Sequence, residues 1–190
     1  MNRDEEVKQA IMVAAKRVFA KWGLNKTTME DIAGEAGKGK STLYYYFKSK
    51  EEIFETVAID ELNRISLKAC TAIETIDSPK DKMKAYITAT ITEMKQIVGI
   101  YSFIKGDIKG NKALIDNIRN QYDQSEEKIL REMLRQGLKL NEFNSLKEIE
   151  LNKAANVLVG MIRGLQLYLF LENEDSEKID IATRLLVDGL

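Results

Sequence analysis

The residues whose types and spacing could carry chemistry lie within residues 27–50, in the string TTMEDIAGEAGKGKSTLYYYFKSK. Gly34, Gly39, Lys40 and Ser41 match the phosphate-loop pattern G-x-x-x-x-G-K-[ST], in which backbone amides and a lysine bind nucleotide phosphates. The same string also fits two short helices joined by a glycine turn, a unit that places its second helix in the DNA major groove. One pattern predicts a nucleotide-binding enzyme, and the other predicts a DNA-binding protein.

The composition narrows this choice. The chain of 190 residues has no histidine, so it lacks the usual general base and the commonest metal ligand. Its single cysteine, Cys70, excludes an internal disulfide and a cysteine-based zinc cluster, and we expect it to be a small core residue. We therefore predict neither a metal nor a cofactor, and no enzymatic activity.

The neighbours of Gly34 argue against the phosphate loop. Such a loop needs a buried strand in front of it and a helix behind it. The residues before Gly34 are instead TTMEDIA, with two carboxylates in the middle and a helix N-cap signal at Thr28 and Asp31. We conclude that this match is accidental.

The chain is predicted to be all-α, because it has one proline, 11 glycines and no valine-isoleucine-threonine run of period two. Capping signals are Thr28 with Asp31, Ser49 with Glu52, Ser145 with Glu148, and Ser78 before Pro79. The predicted helices cover about 4–22, 28–36, 41–47, 49–74, 79–98, 101–109, 111–139, 146–172 and 176–188.

The third helix has the composition of a DNA-reading helix. We expect Leu43 and Phe47, four residues apart, to face inward, which leaves polar and aromatic side chains facing outward. Lysine, threonine and tyrosine can contact base edges or phosphates. The predicted DNA contacts are Thr27, Thr28, Lys40, Ser41, Thr42, Tyr44, Tyr45, Tyr46, Lys48 and Lys50.

The first 55 or so residues resemble the DNA-binding domain of the TetR family of bacterial transcriptional regulators. The residues that carry the resemblance are Ile11, Ala14, Ala15, Phe19, Gly23, Thr27, Thr28, Ile32, Ala33, Ala36, Gly37, Lys40, Thr42, Leu43, Tyr44, Tyr45, Phe47, Lys50 and Ile53. Lys38 departs from the family, which usually has an apolar residue in this turn. The resemblance implies a homodimer on a palindromic double-stranded DNA operator, released when a small molecule binds the C-terminal domain.

We accordingly expect a helix-turn-helix domain at 1–50, joined by a long fourth helix to a ligand-binding and dimerisation domain at 51–190. Residues 1–50 carry 10 Lys or Arg and 6 Asp or Glu, a local basic excess on a chain of net charge −1. Such an excess favours contact with phosphate. A helical protein that binds only other proteins remains the alternative.

The stretch 157–171 is apolar nearly all round its helix, so it must be covered on more than one side. The family resemblance implies that the last two helices form a four-helix bundle between two copies of the chain. The predicted dimer contacts are Val157, Gly160, Met161, Gly164, Leu165 and Tyr168.

An effector pocket is expected among the helices of the C-terminal part, because methionine and aromatic side chains suit adaptable apolar sites. The effector is expected to be a small apolar or amphipathic molecule. The predicted wall residues are Met83, Tyr86, Met94, Tyr101, Phe103, Tyr122, Met133 and Phe170.

The cellular location is predicted from two segments. The N-terminus is acidic and polar, which is not typical of a secretory signal. The run 157–171 is interrupted by Arg163 and Gln166 and is shorter than the roughly 20 residues of a membrane span. We therefore expect a cytoplasmic protein that does not enter the membrane.

Overall fold

The computed structural model describes residues 3–96, 111–171 and 176–190. Within these residues the predicted all-α fold is confirmed, with one short 3-10 turn at Glu148–Glu150 and no strand. The predicted helix at 101–109 lies outside the described residues. The α-helices are α1 (Arg3–Lys26), α2 (Met29–Glu35), α3 (Lys40–Tyr46), α4 (Lys50–Ala72), α5 (Pro79–Gln96), α6 (Lys112–Lys139), α7 (Leu151–Leu171) and α8 (Ser176–Asp188).

The helices of the described residues form two compact units. Residues 3–62 and 111–120 belong to the first unit, and residues 63–96, 121–171 and 176–190 to the second. The first unit thus includes the beginning of α4 and of α6 in addition to the three N-terminal helices.

The core of the first unit is apolar and brings α3 against the first two helices. Leu43 and Phe47 are both buried, as their spacing predicts. The ring of Phe19 meets that of Phe54 edge-on, with centroids 5.3 Å apart, so α1 and the start of α4 share this core. The helix that carries the outward-facing residues is therefore held by side chains from several elements.

The second helix begins and ends as its capping residues dictate. The Thr28 hydroxyl accepts from the Asp31 backbone N–H, while the Asp31 carboxylate accepts from the Thr28 N–H at 2.8 Å, which completes the predicted capping box. At the other end, Gly37 has φ of 60°, and the Lys38 N–H donates to the Ala33 carbonyl at 3.0 Å. Because this turn leaves Lys38 exposed, a charged residue is accommodated where the resembled family prefers an apolar one.

Gly34 lies inside α2, where a phosphate loop would require the end of a strand. The helical backbone at this position removes the geometry in which successive amides converge on phosphates. The structure thus supports the choice of the helical pattern over the nucleotide-binding one.

Two further caps lie at the N-terminal ends of α4 and α5. The Ser49 hydroxyl accepts from the Glu52 N–H at 3.2 Å, but the Glu52 carboxylate accepts from the Lys48 N–H at 2.7 Å instead of closing a box with Ser49. Ser78 caps α5 as predicted, and Pro79 is the first helical residue.

The predicted helix start at residue 146 is wrong. The segment forms a 3-10 turn first, and α7 begins at Leu151. The Glu150 carboxylate accepts from the Lys147 N–H at 2.9 Å, so the acidic partner is Glu150 and not Glu148. Ser145 instead donates its backbone N–H to the Leu190 carbonyl, a contact that no local pattern indicates.

The end of α6 depends on one close approach. Asn141 adopts φ of 57°, and the Glu142 N–H donates to the Gly137 carbonyl at 2.8 Å, which reverses the chain direction. The reversal brings the buried ring of Phe143 back onto Gly137, where a Cβ atom would overlap the ring. Glycine is therefore required at 137 by packing.

Candidate functional site

Among the described residues of the first unit, the outward face of α3 has the most exposed aromatic side chains. Tyr45 is 77% exposed and Tyr44 is 47% exposed, and Ser41 is exposed beside them. Thr42 is half-buried at the edge of this face. Because Leu43 anchors the opposite side of the helix in the core, these groups are presented on a rigid element.

The Tyr46 side chain contacts α1 of the same unit instead of extending into solvent like Tyr45. Its hydroxyl donates to the Asp4 carboxylate at 2.9 Å, and this hydrogen bond raises the pKa of the phenol. Its ring meets that of Tyr45 edge-on, with centroids 4.9 Å apart. Tyr46 therefore supports its neighbour and ties α3 to the start of α1.

Lys40 is exposed and lies at the first position of α3, but its ammonium already has a partner. It forms an ion pair with Glu30 of α2, and this contact raises the pKa of Lys40 and lowers that of Glu30. The ammonium also lies 5.8 Å from the centre of the Tyr44 ring. A DNA contact by Lys40 must therefore replace the Glu30 pair.

The two threonines before α2 have different environments. Thr27 is fully buried, and its hydroxyl donates to the Gly23 carbonyl at 2.6 Å. Its side chain thus braces the turn between α1 and α2, which differs from the predicted phosphate contact. Thr28 is exposed, although its hydroxyl is shared with Asp31 in the capping box.

Lys50 differs from the prediction in the same way. Its ammonium donates to the carbonyl oxygens of Leu24, Asn25 and Thr27 at 2.8, 3.2 and 2.8 Å. An ammonium group has three donors, so these bonds occupy it fully. The side chain of Lys48, by contrast, is exposed and lies just past α3. We infer that Lys50 holds the turn and that Lys48 is the better placed of the two for a phosphate.

The described residues of the predicted effector-pocket wall belong to the second unit. The described members are all buried, namely Met83, Tyr86, Met94, Tyr122 and Met133. Tyr101 and Phe103 lie outside the described residues, as does the side chain of Phe170. Cys70 packs against the same core, where burial raises the pKa of its thiol and so disfavours the reactive thiolate.

Glu126 is a buried carboxyl that the sequence analysis did not identify. It is 2% exposed, and it accepts hydrogen bonds from the hydroxyls of Tyr86 at 3.1 Å and Tyr122 at 3.0 Å. Burial raises the pKa of Glu126 to about 7, while the two tyrosine hydrogen bonds act in the opposite direction. The only available sequence signal was a glutamate four residues after Tyr122, on the same side of a helix.

An apolar surface runs along α7 and α8, and we call it the α7–α8 face. The predicted contacts Val157, Met161 and Tyr168 are 57%, 49% and 53% exposed, while Leu165 is half-buried. Gly160 and Gly164 are exposed, with no atom near the place of an added Cβ. The structure adds three apolar side chains that were not predicted, namely Leu167, Ile181 and Leu185.

The α7–α8 face also contains a shallow cavity of about 490 Å³. Leu185 and Leu186 of α8 line it together with Val157 and Met161 of α7. In the described ranges no helix is long and apolar enough to cross a membrane. No group of three or more acidic or cysteine side chains in those ranges is arranged to hold a metal ion.

Comparison with known proteins shows which family the N-terminal residues resemble. The model of the family "Bacterial regulatory proteins, tetR family" matches residues 11–57, which contain α2, α3 and the start of α4. The HTH-type transcriptional regulator YhgD of Bacillus subtilis, described as uncharacterized, is 39% identical over 67 residues, or 35% of each chain. The HTH-type transcriptional repressor KstR2 of Mycolicibacterium smegmatis is 35% identical over 89 residues, which cover 47% of this chain and 41% of that protein.

The likeness to solved structures extends over almost the whole chain. The transcriptional regulator FadR from Bacillus subtilis, solved in complex with stearoyl-CoA, superposes with a TM-score of 0.77 at 20% identity. The match covers 96% of this chain and 98% of that one, and it shows a common fold. The two curated relatives named above are matched over less than half of their own length.

Proposed function

We propose that the chain is an effector-controlled, DNA-binding transcriptional regulator of the tetR family that acts as a homodimer, because that family's model matches residues 11–57. The proposed DNA-binding part is residues 1–50, and the effector-binding and dimerisation part is residues 51–190. Repression in the cytoplasm, relieved by the effector, is the mode that we favour. The relatives matched are regulators, and the proposal includes no catalytic step.

The observation that carries the proposal is the outward face of α3. A short helix fixed by Leu43 and Phe47 presents hydroxyl and phenol groups that can contact base edges and phosphates. We assign the reading of base pairs to Ser41, Thr42, Tyr44 and Tyr45, with Lys40 joining them once it leaves Glu30. Lys48 and the N-terminal end of α2 at Thr28 are assigned to phosphates.

Dimerisation is assigned to the α7–α8 face. Exposed apolar side chains on two adjacent helices are typical of an interaction surface, and the two glycines allow close approach of another helix. A second copy of the chain is the partner that fits the twofold symmetry of a palindromic operator. The two reading helices of such a dimer would lie about 34–36 Å apart on the DNA.

The effector site is assigned to the second unit, where Tyr86 and Tyr122 hydrogen-bond to Glu126 and the predicted methionines are buried. The regulator FadR, which shares the fold, has been solved with stearoyl-CoA, and this supports an amphipathic ligand for the present chain as well. The effector controls DNA binding only through its preference for the conformation that does not bind DNA.

The main test is fluorescence anisotropy with the DNA that flanks the gene of this protein, titrated at several salt concentrations. We expect sequence-selective binding that weakens as salt rises. Tyr45→Ala should lower specific affinity by about 1–3 kcal/mol without changing the melting temperature, because Tyr45 is exposed. Absence of any selective binding to that DNA by the wild-type dimer would refute the proposal.

Two other functions make different predictions. A nucleotide-binding protein would bind ATP or GTP, and Lys40→Ala would abolish that binding. A helical adaptor that binds only proteins would form a stable dimer without affinity for any DNA. Sizing chromatography and the anisotropy titration together distinguish these outcomes.

A further inference from the structure

Glu126 is the only buried carboxylate within the described ranges, and its surroundings are organised around one of its two oxygens. The hydroxyls of Tyr86 from α5 and Tyr122 from α6 both donate to Oε1. Among the described residues no hydrogen bond reaches Oε2. Among the described residues, the carboxyl thus accepts hydrogen bonds through Oε1 alone.

Arg163 is the cation whose charge acts on Glu126, but it does not form an ion pair with this carboxyl. Arg163 of α7 forms an ion pair with Asp123, one turn before Glu126 on α6. No lysine or arginine of the described residues pairs with Glu126 itself. An ionised carboxylate without a counter-charge is costly to bury, so a positively charged partner would gain from binding beside it.

The groups that face Glu126 come from four helices. They are Cys70 of α4, Tyr86 of α5, Tyr122 and Asp123 of α6, and Arg163 of α7. Burial, together with the charge of Asp123, raises the pKa of Glu126 to about 7, and the tyrosine hydrogen bonds and Arg163 oppose this rise. With a pKa of about 7, the Glu126 carboxyl exchanges its proton near neutral pH, so its charge in a complex with a ligand depends on pH in this range.

We propose that Glu126, held by Tyr86 and Tyr122, is the recognition group for a cationic amphipathic effector that carries a protonated amine. The amine would donate an N–H to Oε2 and supply a positive charge that no described residue places in an ion pair with Glu126. A carboxylate head group would meet a like charge, and a neutral hydroxyl would supply only one uncharged hydrogen bond. This inference rests on the proposed function, because it specifies the ligand class of that effector site.

The test uses three ten-carbon probes that differ only in the head group: decylamine, decanoate and decanol, each below the concentration at which it forms micelles. Isothermal titration calorimetry at pH 8 with the full chain should show decylamine binding at least tenfold more tightly than decanoate. Glu126→Gln should lower the affinity for decylamine about tenfold or more. Glu127→Gln should not, because Glu127 is partly exposed and paired with Arg131 on the same helix.

Equal affinity of the wild type and Glu126→Gln for decylamine, or tighter binding of decanoate, would overturn the inference. Should Glu126→Gln fail to fold, the wild type alone provides the answer through its pH dependence. A primary amine stays protonated below roughly pH 10, whereas a carboxyl with a pKa of about 7 is roughly one-tenth ionised at pH 6. Affinity for decylamine should thus rise about tenfold from pH 6 to pH 8, and a flat profile contradicts the assignment.

This experiment is separate from the test of the regulatory function. Decylamine binding that depends on Glu126, in a protein without DNA affinity, would support the ligand site and refute the regulator. Selective DNA binding by a protein that ignores the charge of the probe would support the regulator and refute the ligand class.

Discussion

The Lys50 ammonium donates to the backbone carbonyl of Thr27 at 2.8 Å and thereby ties the first residue of α4 to the turn that precedes α2. The Thr27 side chain closes the same turn from inside, through its bond to the Gly23 carbonyl. Two residues that suit DNA phosphates by type are therefore used to hold the helix-turn-helix unit together. The position of α3 depends on this turn, because α2 follows it directly and braces α3.

Replacing Lys50 should affect stability more than the electrostatics of DNA binding. Lys50→Met keeps most of the stem but leaves three carbonyls without their donor, at a cost of about 1–3 kcal/mol in the free energy of unfolding. Urea denaturation measures this loss. In the anisotropy titration the salt dependence should stay unchanged, whereas Lys48→Ala should reduce its slope by about one. If Lys50→Met kept the wild-type stability and its DNA affinity depended less on salt, Lys50 would be a phosphate contact after all.

The Glu30–Lys40 ion pair should oppose DNA binding. Glu30→Gln releases the Lys40 ammonium and removes a negative charge beside the proposed interface, so affinity for the operator should rise about two- to fivefold. Glu35→Gln is the matched control, since Glu35 lies on the same helix and pairs with Arg17 instead. Equal gains in the two variants would mean that only net charge matters and that Lys40 has no specific part.

Gly137→Ala should destabilise the second unit. The added methyl group would overlap the ring of Phe143, and displacing that buried ring should cost about 1–3 kcal/mol. The comparison is Gly34→Ala, which meets no atom within contact distance and should be neutral or stabilising by up to about 1 kcal/mol. Chemical denaturation of both variants tests the pair, and a neutral Gly137→Ala would contradict the packing argument.

The stability of the ligand-free protein should fall as the pH rises from about 4.5 to about 7. Glu126 binds its proton more tightly in the folded state than in the unfolded chain, so folding is favoured where the carboxyl is protonated and this contribution is lost through its folded pKa of about 7. The loss is up to about 3 kcal/mol, as an upper bound. Glu126→Gln should remove this part of the pH dependence and be more stable than the wild type at pH 8.

Unfolding free energies measured at pH 5.5 and pH 8 for the wild type, Glu126→Gln and Glu127→Gln provide the test. The last variant keeps the buried carboxyl and should retain the wild-type difference between the two pH values. An identical difference in Glu126→Gln would show that another group is responsible.

The sequence by itself determined the helices, most of their caps and the inward side of α3. These features depend on neighbours three or four residues apart, whose relative positions are set by helical geometry alone. Thr28 with Asp31, and Leu43 with Phe47, were predictable for this reason. The capping signal at Ser145 failed, because Glu150 took the role expected of Glu148 and the Ser145 N–H donates to the distant Leu190 carbonyl.

Only the tertiary structure decided which polar side chains are free to act. Lys50 meets carbonyls more than 20 residues away, and Tyr86 meets Glu126 across 40 residues, so neither contact has a local signal. The residue type of a lysine does not reveal whether its ammonium contacts solvent, a carboxylate or backbone carbonyls. Packing between distant helices decides which of these partners it has. The type of each residue thus followed from the chain, while its availability for DNA or for an effector followed from the fold.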